Sequence, residues 1–273
     1  MIRRPAVAGY FYPKEKKELE HTLSLLFSVD SSQKQQRNAV VGAILPHAGY
    51  QYSGKVAAQT VSACTFKEIF IILGPNHTGL GEPFSVMTEG SWATPLGDVP
   101  IHVAVTKTLV QKSKYLREDT LAHASEHSIE VLIPFLQYIQ KEIAIVPLVI
   151  AHASFGVYQD MAKDIYDTIM DLNLKDRVTL LASSDMTHYE PQSSAEDKDR
   201  YAIEAILRLD SENLLKRVEE RRISMCGIAP VLVMLEVAKK LGAKDAHLVK
   251  YQTSGDTTGD YDAVVGYAGI TVR

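Results

Sequence analysis

A three-layer α/β domain is the fold this sequence predicts over residues 1–273, with a mainly parallel or mixed central sheet and helices on both faces. Three observations carry the expectation. Short apolar, β-branched runs alternate with longer segments of helical periodicity, and parallel strands need such crossover connections. The apolar fraction is 46% and the charged fraction 23%, the balance of an ordinary globular core. No break in composition and no low-complexity linker divides the chain, so a single domain is expected.

The elements follow in order. The charge run Lys14-Glu15-Lys16-Lys17 adjoins apolar residues at helical spacing and reads as the solvated face of a first helix. Ser31 to Asn38 reads as a polar loop. Ala39 to Leu45 predicts the first core strand, and Ser53 the cap of a helix reaching about Cys64. Glu68 to Leu73 is the next expected strand. Phe84 to Trp92 and Val99 to Val103 read as extended segments around the turn Pro95-Leu96-Gly97-Asp98. Between Ser128 and Gln140, five apolar positions from Ile129 to Ile139 recur at the spacing of a buried helix face. Strands are then expected over Ile143 to Ile150 and Val178 to Ala182, with a helix from Val157 to Leu172 between them. Helices from Ala195 to Leu209, Ser211 to Arg221 and Ile228 to Leu241 come next. Strands over Ala246 to Gln252 and Ala263 to Val272 close the pattern.

The bulk numbers exclude several classes. A formal net charge of -4 offers no basic surplus for a phosphate backbone, so nucleic acid is not an expected partner. Two cysteines, Cys64 and Cys226, cannot build a disulfide framework and fit a reducing compartment. No apolar run approaches a membrane span, and Arg3 and Arg4 lead into Pro5 and Gly9 rather than a signal-like core, so a cytoplasmic protein is expected. Walker, dinucleotide and nucleophile-elbow motifs are missing.

The chemistry gathers after the strands. The first core strand runs into Pro46-His47-Ala48-Gly49, and the second into Gly74-Pro75-Asn76-His77. Two later strands run into Ala151-His152 and Ser183-Ser184-Asp185-Met186-Thr187-His188. Ligands of open α/β sheets bind outside the carboxyl ends of strands, where four strands here each deliver a histidine. His47 and His77 form the strongest pair, because imidazole is the commonest protein ligand for borderline divalent metals. Cys226 precedes Gly227 and an apolar helix. A helix start lowers a thiol's pKa and favours the ligating thiolate, although a small buried hydrophobe is the competing reading. Asp185 and His188, three apart, suit a carboxylate orienting an acid–base imidazole; a capping Asp would look the same. Glu126 reads as a carboxylate at a helix start, with His127 as a pocket residue. His21, His102 and His247 fall within regular elements and Cys64 in the core.

Together these residues resemble the Memo family, known in archaea and bacteria as AmmeMemoRadiSam system protein B. The matching stretches are Arg4 to Gly9 with Phe11-Tyr12-Pro13, Pro46 to Tyr50 with Ser53-Gly54, and Gly74 to His77. Glu126-His127-Ser128, Ser184-Asp185 through His188, Cys226-Gly227, Ser254 to Asp256 and Val265 to Tyr267 complete them in the family's order. The resemblance implies a fold like that of class III extradiol dioxygenases, with iron or copper on His47, His77 and Cys226. Asp185 and His188 fall on catalytic pocket positions, and Phe11, Tyr50 and His127 on the substrate pocket. Cys226 stands where ring-cleaving relatives have a carboxylate, and a softer thiolate favours copper or alters iron chemistry, so ring cleavage is not carried over. Eukaryotic relatives are implicated in binding phosphotyrosine peptides and carry an aromatic cluster with Trp near the N-terminal motif. Tyr10-Phe11-Tyr12 stands here instead, so that role is not carried over either. The family name implies association with radical-SAM and AMMECR-type proteins. Two readings follow: a metal-dependent redox protein, or a non-catalytic module that keeps the cleft for a small molecule or peptide.

Overall fold

The computed structural model describes residues 1–28 and 37–273, so residues 31–36 of the expected polar loop lie outside it. Its centre is a nine-stranded mixed sheet among the described residues. Four strands run parallel in the middle, in the spatial order Gly42–Leu45, Val178–Ser183, Ile69–Pro75 and Ala144–Ile150. Antiparallel neighbours flank them: Val264–Val272 beside Gly42–Leu45, and Phe84–Val86 beside Ala144–Ile150. Helices cover both faces, as expected, and the sheet is mixed rather than purely parallel. No helix among the described residues is long and apolar enough to cross a membrane.

The central strands are apolar on both faces because each face is covered. Along Ile69–Pro75 the side chains alternate: Ile69, Ile71 and Leu73 enter one core, Phe70 and Ile72 the other. The first core meets the helices Phe155–Asp171 and Ile228–Leu241 through Ile165, Ile169, Leu232 and Leu235. The second meets Lys16–Ser28, Tyr50–Ser62 and Ile133–Ile139 through Leu23, Ala57 and Phe135. Register then sets the site. Leu45 pairs with Ser183, Leu73 with Ala182 and Pro75 with Ile150, so the parallel strands release their loops at one level. Ile270 lies opposite Ile44 on the antiparallel strand, which carries Val265 to Tyr267 past Leu45 to that same end.

Several local expectations are corrected. Gly49, not Ser53, precedes the helix Tyr50–Ser62; Ser53 sits in the first turn and donates to the Ala48 carbonyl at 2.9 Å. The expected first strand splits, because Asn38–Ala39 pairs with Cys64–Thr65 outside the main sheet. Cys64 therefore lies in a short strand. It is buried as expected, and burial pushes its thiol up to about 12. Val103 opens a helix, Val103–Lys112, rather than ending a strand. Its β-branched Val103, Val105 and Thr106 hid it, and the ring of His102 caps it by accepting from the Val105 N–H. The helix read over Ser128 to Gln140 is a tight 3-10 turn, Glu130–Leu132, followed by Ile133–Ile139.

One contact fixes how the long apolar helix meets the sheet. A Cβ on Gly227 would overlap the Ser183 carbonyl and the Ser184 side chain, and the Gly227 N–H donates to Ser184 Oγ at 3.0 Å. Gly227→Ala is expected to destabilise the protein by roughly 1–3 kcal/mol. Urea unfolding measures it, and an unchanged midpoint would show that the approach has slack.

Candidate metal centre

His47 and His77 leave adjacent loops at the carboxyl ends of Gly42–Leu45 and Ile69–Pro75. Their ring centroids lie 5.1 Å apart and near perpendicular. Cys226 enters from the segment before Ile228–Leu241. One nitrogen of each ring and the Cys226 Sγ all lie within 4.8 Å of one another, a group that could hold a metal ion.

Hydrogen bonds fix which nitrogens are free. His47 Nδ1 is 2.8 Å from Ser183 Oγ, and that hydroxyl donates its single hydrogen to the Ser128 carbonyl at 2.6 Å. Ser183 must therefore accept from His47, which places the ring proton on Nδ1. His77 Nδ1 faces Glu126 Oε1 at 2.9 Å, and an ionised carboxylate only accepts. Both rings thus keep a lone pair on Nε2, the arrangement by which outer partners orient metal-binding histidines. His188 follows the same rule: its Nδ1 donates to the Ser224 carbonyl at 2.9 Å, and its backbone N–H donates to Ser224 Oγ. Burial lowers the His47 pKa well below the usual imidazole range, and His127, His77 and His188 nearby lower it further.

Cys226 overturns one expectation. Burial pushes its thiol well up rather than down, the Asp185 carboxylate adds to this, and the Asp185 and Gly227 N–H groups do not compensate. The thiol faces His47 Nε2 at 3.4 Å and accepts from the Asp185 N–H at 3.3 Å. Asp185 also departs from its expected task. Its Oδ1 accepts from the His47 N–H at 2.8 Å, so it braces the His47 turn, while Ser224 orients His188. Burial raises the Asp185 pKa.

Phe11, His127, Asp185 and His188 line one cavity of about 480 Å³ beside the cluster. The His127 ring stacks on His77 at 4.6 Å and packs against Phe11 at 4.8 Å. Tyr50 does not join them. Its hydroxyl donates to the Val131 carbonyl at 2.9 Å and its ring packs against Phe135 in the core, because a buried phenol needs an acceptor. His152 is exposed and shares no ring contact or hydrogen bond with the cluster among the described residues. In the stretch Thr253 to Asp256, Asp256 accepts from the Thr253 N–H, Ser254 Oγ accepts from the Val265 N–H, and Ser254 lines the cavity.

Comparison with known proteins settles the ancestry. Residues 3–271 match the family described as Memo-like protein. The chain belongs to this family. It is 42% identical to a MEMO1 family protein of Methanopyrus kandleri, over all of this chain and 99% of that one. A MEMO1 family protein of Aquifex aeolicus is 40% identical over 98% of each chain. Among solved structures, an uncharacterised protein of Escherichia coli K12 shares the fold, with a TM-score of 0.56 at 14% identity over 85% of this chain and 99% of that one.

In this Memo-like chain the residues that sequence reasoning missed are the holders. Ser183, Ser128 and Ser224 carry no chemical signature in a sequence. Glu130 did carry one: a lone charge inside the apolar run Ile129 to Ile133, which demands buried partners. Glu126 was visible but misassigned. It is fully buried, and its carboxylate accepts from the His77 N–H, the His77 ring and the Ser128 N–H. Burial alone would raise its pKa; His77 and these N–H groups outweigh burial and hold it at about 2, against 4.5 for a free glutamate.

The sign of the pH effect follows. A depressed folded pKa stabilises fully above about 4.5, and the stabilisation fades as pH falls toward 2. The shift corresponds to on the order of 3 kcal/mol. Glu126→Gln is expected to lose much of this at pH 7 and to flatten the acid limb of stability between these pH values. Urea titrations at stepped pH measure both, and parallel acid limbs in the two proteins would refute the assignment.

Proposed function

We propose that this protein is a metal-dependent redox protein holding one iron or copper ion on His47, His77 and Cys226. The observation that carries the reading is the pair of imidazoles locked from behind, each leaving an Nε2 lone pair beside a thiol. Such a donor set fits the ion: imidazole suits iron and copper alike, and thiolate softens the site toward copper(I). A bound iron or copper would supply one-electron chemistry and Lewis acidity to the adjoining cavity.

The chain's own residues divide the remaining work. Cys226 has to release its proton to serve as a ligand, and that thiol now faces His47 Nε2, so loading is coupled to proton release. Asp185 holds the His47 turn by accepting its backbone N–H. His188, with Nδ1 tied to Ser224, offers a free Nε2 as the base that takes a proton from a molecule in the cavity. Phe11 and His127 form the wall between that molecule and the ligands.

The test is metal content by mass spectrometry on protein purified without chelator or affinity metal, then anaerobic loading with iron(II) and copper(I). About one ion per chain is expected for the native protein, and almost none for a folded His77→Ala variant. Unchanged stoichiometry in that variant would overturn the site. Failure of the native protein to bind either ion would favour the second reading, a ligand-binding module without turnover.

A further inference from the structure

Four aromatic side chains, Phe11, Tyr52, Tyr189 and Tyr267, line the cavity beside the metal cluster, together with the carboxylates of Asp185 and Asp260. No lysine or arginine lines it among the described residues. Aromatic faces carry negative electrostatic potential, and a cavity that combines several of them with carboxylates attracts organic cations. We infer that this cavity binds a small organic cation of the alkylammonium class, caged by Phe11, Tyr52, Tyr189 and Tyr267 and countered by Asp185 and Asp260.

The polar groups agree with a cation and against an anion. Tyr267, only 2% exposed, lines the cavity, and its hydroxyl makes no hydrogen bond among the described residues. The Tyr52 and Tyr189 hydroxyls likewise make no hydrogen bond among the described residues, which leaves their oxygens free to accept. His188 turns Nδ1 toward the Ser224 carbonyl, so Nε2 is the ring nitrogen left without a hydrogen bond among the described residues. Burial raises the Tyr267 pKa, and Asp185, Tyr52 and Tyr189 raise it further, as expected where several oxygens crowd one space. Tyr189 sits at the cavity's lip, 78% exposed with a φ of 57°, a left-handed conformation uncommon outside glycine. Its ring is thereby placed at the entrance without support from the core.

This inference names a ligand class for the cavity of the proposed metal site, and it requires no bound ion.

Choline is the probe, compared with its isostere in which carbon replaces the charged nitrogen, and with butyrate. Ligand-observed NMR titrations are run on chelator-stripped and zinc-loaded protein. Saturable choline binding is expected in both, with the neutral isostere at least about tenfold weaker and butyrate weaker still. Tyr52→Leu and Tyr189→Leu are each expected to weaken choline about threefold or more while leaving the thermal midpoint and metal stoichiometry unchanged. Tyr189→Leu alters a side chain that packs little, so its result stands even if Tyr52→Leu fails to fold. Equal binding of the neutral isostere, preference for butyrate, no saturation, or undiminished binding by folded Tyr189→Leu would each overturn the inference. Metal content read on the same samples separates the two readings: lost metal with retained choline binding fails the metal site alone, and the converse fails this one alone.

Discussion

Two buried carboxylates four residues apart, Glu126 and Glu130, impose the constraint on which the pocket rests. Charge out of water is tolerated only where its oxygens are matched by donors. Glu130 is met by Arg3, by the Ala6 and Val7 N–H groups and by the Tyr12 hydroxyl. Arg3 also donates to the Glu126 and His123 carbonyls and lies over the Trp92 ring at 4.3 Å. The first twelve residues are thereby bound to the segment that orients both imidazoles. Glu126 holds His77 directly, and the Ser128 carbonyl holds His47 through Ser183. Gly74 permits this closeness, since a Cβ there would overlap the Ser128 hydroxyl. Turning either ring out of place would break a buried hydrogen bond, which costs far more than an exposed one.

That rigidity supports the proposed metal site. The Nδ1 atoms of His47, His77 and His188 are each held by a fixed acceptor, so in each ring Nε2 is the nitrogen turned away from it. Protonating His47 is opposed by burial and by its imidazole neighbours. The Cys226 thiol faces His47 Nε2, and its surroundings disfavour the thiolate. An ion shared by these donors would relieve both penalties at once. The raised thiol is therefore no argument against ligation; it describes a thiol whose ionisation would be coupled to the binding of an ion.

The sequence made the architecture legible because strand periodicity and crossover logic are local, and it placed His47 and His77 because loops after parallel strands lie at one level. The same rule misjudged His152, which follows Ala144–Ile150 on the outer side of Ile69–Pro75 and stays exposed. Cys226 was located correctly but given the wrong proton affinity, because helix-start logic counts the backbone dipole and cannot see burial or the Asp185 carboxylate. Asp185 and His188 were read as partners because they are close in sequence. Their actual partners, His47 and Ser224, are 138 and 36 residues away in the chain. The serine holders were invisible for the same reason: only strand register brings Ser183 beside Ser128 and His47.

The mixed sheet adds what a purely parallel one could not. Because Val264–Val272 runs antiparallel to Gly42–Leu45, its beginning rather than its end reaches the pocket. Gly266 pairs with the Asp185–His188 turn, donating to the Thr187 carbonyl and accepting from the Met186 N–H. A side chain at Gly266 would overlap Asp199, whose carboxylate holds the Thr187 N–H and the Tyr251 hydroxyl from behind. The next residue, Tyr267, lines the cavity. One antiparallel strand start therefore both supports the turn that carries the acid–base histidine candidate and supplies a wall of the cavity. A rule confined to the carboxyl ends of strands passes over it, and the aromatic lining is visible only once the direction of that strand is known.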